Sequence, residues 1–155
     1  MKGYHFRLQK VLDTCRLKEE LIEVKLAELE RLAESQRAHL SAMEEEERAL
    51  LSERRAKREQ EGAVAIEEEI FYERCLENLR LKVERLRMYL RSLEEQIRQT
   101  REELVAAAME RKVLEKLREK DYERFTVEVE RNNQKALDEI AVQRYARREE
   151  QCSGM

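Results

Sequence analysis

Two histidines, three cysteines and two dense runs of charge are the residues of this chain whose types could do chemistry. His5 and His39 lie far apart, and neither has a metal-ligating residue four positions further on. Metal sites need His, Cys or carboxylate clustered at defined spacing, so no metal is expected. Cys15, Cys75 and Cys152 are odd in number, follow no paired spacing and have no histidine in plausible reach. They fit a reducing cytoplasm better than a disulfide framework, with Cys15 and Cys75 as packing residues. Glu44 to Glu47 is a run of acids on a helix surface, which is ordinarily a solvated face. Arg54, Arg55, Lys57 and Arg58 form a basic cluster without interleaved aromatics, so nucleic-acid binding is not expected from it. No glycine-rich loop offers a nucleotide cradle. The residues therefore predict no catalytic site, no cofactor and no enzyme.

What these residues are mounted on is more informative. Of 155 residues, 43% are charged and 5% aromatic, proline is absent and there are three glycines. A thick core cannot be built from that composition, whereas a sustained apolar period of about 3.5 residues marks a long helix or coiled coil. With a net charge of −3, the whole molecule has no general attraction for nucleic acid. No apolar stretch approaches the ~20 residues of a membrane span. The start, Met1 to Arg7, lacks the apolar segment of a signal peptide.

The period is visible twice. In the first half, Leu8, Leu12, Cys15, Glu19, Ile22, Leu26, Leu29, Ala33, Gln36, Leu40, Met43, Glu47 and Leu50 follow alternating steps of four and three. The polar members Glu19, Gln36 and Glu47 read either as wet, register-fixing layers or as a stretch loosened for a third partner. In the second half, Tyr72, Leu76, Leu79, Val83, Leu86, Leu90, Leu93, Ile97, Thr100, Leu104 and Ala107 repeat the pattern, and Arg111 and Leu114 extend it. Gly62 is the only glycine between residues 4 and 153, which makes it the candidate helix cap and point of reversal. The prediction is an all-α protein: two long helices forming one antiparallel coiled-coil hairpin over residues 1–155. Helix 1 covers about 4–58, a turn 59–66, helix 2 about 67–148 and a flexible tail 149–155. Folding at Gly62 sets Leu50 opposite Tyr72 and Leu8 near Leu114.

The second helix outruns the first. Leu117, Tyr122, Phe125, Val129, Asn132, Ala136 and Ile140 carry the pattern onward after a five-residue step that reads as a register shift. An uncovered overhang invites a binding partner; exchange into a dimer, or disorder until bound, are the other readings. Charge is uneven as well. Residues 2–18 carry five basic and one acidic side chain and residues 111–148 eleven and eight, against sixteen and twenty-four in residues 19–110. The end carrying both termini is net positive, which suits a socket of negative potential or is simply a solvated surface.

The ends also carry a resemblance. The start reads Phe6-Arg7-Leu8-Gln9-Lys10-Val11-Leu12-Asp13. The later stretches read Arg111-Lys112-Val113-Leu114-Glu115-Lys116-Leu117, Leu137-Asp138-Glu139-Ile140-Ala141 and Arg144-Tyr145-Ala146-Arg147-Arg148. In that order they resemble the FliJ family of bacterial flagellar type III export proteins. The resemblance implies a cytoplasmic antiparallel hairpin, at the cytoplasmic face of the export apparatus, that resembles the central stalk of rotary ATPases. Such proteins insert into the hexameric flagellar export ATPase, contact the cytoplasmic domain of the export-gate membrane protein and interact with export chaperones. No nucleic acid and no membrane insertion are implied.

Carried onto this chain, the resemblance assigns ATPase contacts to Phe6, Arg7, Leu8, Leu12, Lys112, Leu117, Asp138, Glu139, Ala141 and Arg144. It assigns gate contacts to Gln36, Leu40 and Met43, facing Cys75 and Leu79. The alternative reading is a structural, adaptor or chaperone-type coiled coil, or the stalk of a related virulence secretion system or rotary ATPase.

Overall fold

A computed structural model describes residues 3–61 and 66–154. Two helices account for nearly all of them: α1, Gln9–Glu61, and α2, Ile66–Ser153. No strand occurs among the described residues. The chain is all-α, and the longer second helix packs against the first as a hairpin. The expected reversal at Gly62 lies outside the described residues. Helix α1 continues to Glu61, past the predicted end near 58, and α2 continues to Ser153, through most of the segment read as a tail. Contacts divide the chain into two compact units, one of residues 19–106 and one of residues 1–18 with 107–155.

In the unit of residues 19–106, both helices form because nothing interrupts them. There is no proline, the apolar residues recur every three or four positions, and Glu67, Glu68 and Glu69 sit at the positive end of the α2 dipole. All ten predicted seam positions of α1 from Glu19 to Leu50 are at least half-buried, as are the ten of α2 from Tyr72 to Leu104. The densest packing is Ala33 against Leu90, Leu93 and Ile97, flanked by Leu26, Leu29 and Leu40. Thr100 is the one polar residue buried in this stripe, and its hydroxyl donates to the Gln96 carbonyl at 2.7 Å. No buried side-chain polar atom among the described residues lacks a partner.

The pairing register differs from the predicted one. The Tyr72 hydroxyl donates to Glu53 and Lys57 lies over the ring, so Tyr72 faces residues 53–57 rather than Leu50. Further along, Arg80 pairs with Glu47, Arg87 with Glu44, Arg37 with Glu94 and Arg101 with Glu30. The expected alignment set Ala33 on Leu90, whereas Ala33 packs against Leu90, Leu93 and Ile97 together, so α2 is displaced by about half a heptad. An antiparallel apolar seam closes with its layers paired in either way, so the apolar pattern does not choose between the two.

In the unit formed by the two ends of the chain, α1 starts later than predicted. Residues 3–8 are not helical; the Phe6 carbonyl accepts the Gln9 N–H at 3.2 Å and the Leu8 carbonyl accepts the Leu12 N–H at 3.0 Å. Phe6 and Leu12 are buried, with 5% and 0% exposure, and Ala107 is buried in the same unit. Arg16 bonds Glu115, which also accepts Arg111, and Lys18 pairs with Glu110. The predicted register shift between Leu117 and Tyr122 is absent. The half-buried line continues through Leu114, Arg118, Asp121, Phe125 and Val129, while Leu117 and Tyr122 lie on its flanks. Two polar residues carry the seam here, and an apolar search steps over them. From residue 131 to 153 every residue of α2 is exposed.

Candidate partner-binding surfaces

Within the unit of the chain ends, the non-helical segment folds onto α2 through Tyr4. Its hydroxyl lies 3.2 Å from both the Arg118 carbonyl and the Asp121 carboxylate. Its ring stands edge-on to Tyr122 at 5.0 Å and tilted against Phe125 at 5.4 Å. Desolvation and the Asp121 carboxylate raise the Tyr4 pKa, so the phenol stays a neutral donor. One turn away, Phe6, Arg7, Leu8, Leu117, Lys120, Asp121 and Arg124 line a shallow groove.

The predicted ATPase contacts separate into three groups. Phe6, Arg7, Leu8 and Leu117 come together at that groove, although Phe6 is mostly covered. Leu12 is wholly enclosed, so its surface is spent in holding α1 on α2. Lys112 is exposed on α2, and Asp138, Glu139, Ala141 and Arg144 are exposed on the uncovered part of the helix. Asp138 accepts a hydrogen bond from Gln134, an i to i+4 contact. Leu137, Ile140, Val142 and Tyr145 are exposed on the same stretch. The predicted contacts omitted Tyr4, Arg118 and Asp121, and Tyr122 and Phe125 were expected only on the uncovered overhang. A tyrosine near the N-terminus and two aromatics about 120 residues later were the available signal.

In the unit of residues 19–106, the predicted gate contacts are distributed along both helices. Gln36, Leu40 and Met43 are half-buried, and Leu40 packs on the Ala33, Leu90, Leu93 and Ile97 cluster between the Arg37–Glu94 and Arg87–Glu44 pairs. Leu79 is buried and Cys75 half-buried, further along α2 beside the residues that meet Glu47 and Arg54. An aromatic ring is left open in that region: Phe71 is 62% exposed, one turn before Cys75, with Ile70 beside it.

This part of α2 is held by a charged clamp. Glu69 accepts hydrogen bonds from both Arg58 and Arg54, which also approaches Glu73. The Arg58 and then the Arg54 bonds hold the Glu69 carboxyl down at about 2. Arrays of this kind fix geometry; they do not activate a nucleophile. No group of metal-ligating side chains and no membrane-crossing helix occurs among the described residues.

A two-helix hairpin with open grooves and a long uncovered helix is a protein that acts through its surfaces. The chain belongs to the FliJ family: the model of that family, described as flagellar FliJ protein, matches residues 4–150. No curated protein and no solved structure matches the chain. Membership makes it a flagellar export-related protein.

Proposed function

We propose that this protein is the stalk-like component that enters the hexameric flagellar export ATPase and couples it to the export gate. The observation that carries this reading is the end of α2, helical to Ser153 yet uncovered from residue 131 onward, with Leu137, Ile140 and Tyr145 open beside Arg144. An isolated helix end exposing that much apolar surface is completed by a partner. The contacts are Arg7, Leu8, Lys112, Leu117, Asp138, Glu139, Ala141 and Arg144, while Phe6 and Leu12 keep the N-terminal segment on α2. An asymmetric helix in a six-fold ring touches only some subunits at a time. Nucleotide-dependent changes in the ring therefore bias the helix, and the helix transmits that bias. The cytoplasmic domain of the gate protein binds the unit of residues 19–106, where exposed Phe71 lies close to Cys75. Export chaperones are further partners.

The test is capture of the purified export ATPase by the full chain, with ATP hydrolysis measured in parallel. Lys112→Glu with Arg144→Glu weakens capture and removes any stimulation of hydrolysis, with helicity retained. Undiminished capture by that variant overturns the reading. An adaptor coiled coil would leave hydrolysis unchanged in every combination.

A further inference from the structure

Two charged faces of the chain have no counterpart inside the hairpin. The first is on α2, where Lys112, Lys116, Lys120, Arg124, Arg131 and Lys135 share one outward side over about 35 Å. All six are exposed, and none makes an ion pair or hydrogen bond among the described residues. Val113, Leu117 and Val127 are interleaved with them, and Glu123 and Glu128 border the run. By contrast, most of the arginines facing the other helix in residues 19–106 are paired, as Arg37, Arg54, Arg80, Arg87 and Arg101 show.

The second face is on α1. Glu20, Glu23, Glu34 and Glu45 are exposed, share one side and have no partner among the described residues. Ala27 and Ala38 lie between them, and Glu30 on the same side is taken by Arg101. Arg31 stands at the margin.

The intervals match. Glu23, Glu34 and Glu45 recur every eleven residues, as do Lys120 with Arg131 and Arg124 with Lys135. Eleven residues make about three helical turns, so each set stays in line along a straight helix. We propose that the basic face of one copy of this chain docks on the acidic face of a second copy, the two helices running antiparallel. Arg124 then meets Glu34, Lys135 meets Glu23, and Val113, next to Lys112, falls at Glu45. A parallel arrangement with Arg124 on Glu34 would set Lys135 on Glu45 and match the charges equally well, and the opposed helix dipoles select the antiparallel one. Ala27 and Ala38 allow the axes to approach, and Val113, Leu117 and Val127 supply the apolar contact.

Because the charges are exposed, the association weakens with salt. An anionic membrane or a foreign acidic helix would also attract six cations. The matched interval and the small residues on the acidic side commit the face to a second copy. The proposal does not depend on the ATPase reading, and its test contains no ATPase.

The test is sedimentation velocity of the full chain over a range of concentrations at low and high salt. The expected result is a dimer at low salt that dissociates as salt rises. Glu23→Lys with Glu34→Lys, and separately Arg124→Glu with Lys135→Glu, each weaken self-association by at least about tenfold. Mixing the two variants restores a heterodimer, because each reversed face then meets its complement. Neutral Arg124→Gln with Lys135→Gln weakens association less than the reversal. Circular dichroism accompanies each measurement, and the mixing result excludes loss of folding as the cause. A wild type that is monomeric at low salt, reversed variants that still self-associate, or a mixture that stays monomeric overturns the proposal. So does binding to phosphatidylglycerol vesicles without self-association.

Discussion

The Tyr72 hydroxyl donates to a Glu53 carboxylate oxygen at 3.0 Å, and that bond pins where α2 lies along α1. Slide α2 back by one heptad along α1 and the apolar seam still closes. The charges do not. Arg37, now on Glu94, would meet Arg87, and Glu30, now on Arg101, would meet Glu94. Glu47 would exchange Arg80 for Glu73. The flanking ion pairs contribute little individually, but they make the slipped alignment repulsive.

Reversing two of them tests this. Arg37→Glu with Glu30→Arg places like charges together in the native register and complementary ones in the slipped register. The double variant is expected to melt several degrees lower, and a cysteine pair placed across the native register is expected to cross-link more slowly. Unchanged melting and cross-linking would show that the ion pairs do not select the register.

Packing at Ala33, Leu90, Leu93 and Ile97 is expected to dominate the stability of residues 19–106. Leu93→Ala removes the side chain lying across from Ala33 and should cost about 2–4 kcal/mol in urea unfolding. Ala33→Leu, at a position with no exposure, should cost about 1–3 kcal/mol by forcing the helices apart.

The Glu69 clamp gives a pH dependence with a definite sign. In the folded chain its carboxyl is depressed from 4.5 to about 2. The stabilisation is therefore complete above about pH 4.5 and is lost as pH falls from there toward 2. Melting followed against pH should show wild type more stable than Glu69→Gln at neutral pH, with the gap closing in acid. A gap that persists to pH 2 would remove Glu69 as the titrating group.

Tyr4→Phe keeps the ring against Tyr122 and Phe125 but loses the hydroxyl contacts with Arg118 and Asp121. Amide hydrogen exchange around Gln9 to Leu12 should quicken while global melting is unchanged. Tyr4→Ala should quicken it further. Equal protection in all three proteins would mean that burial of Phe6 alone holds the segment.

The amino-acid pattern carried the two helices and each of the twenty-six seam positions, because burial on one side of a helix leaves a period that no other fold imitates. It did not carry the register, since a seven-residue repeat is degenerate and the decision rests on Glu44, Glu47, Arg80 and Arg87 at the flanks. Nor did it carry the late start of α1. Leu8 precedes the helix without a Ser, Thr, Asp or Asn cap to mark the boundary. The aromatic contact of Tyr4 joins residues 118 positions apart, beyond the reach of any local pattern. The surface of Phe71 was passed over because it lies off the seam, where a search for packing does not look.

The thin buried stripe has a thermal consequence. Among the described residues, eleven apolar side chains and Thr100 are buried, and the rest of the seam is half in water. Unfolding therefore exposes less new apolar surface per residue than in a globular domain, and the heat-capacity increment should be correspondingly small. A small increment flattens the stability curve. Melting then spreads over a wide temperature interval, and cooling costs the chain little.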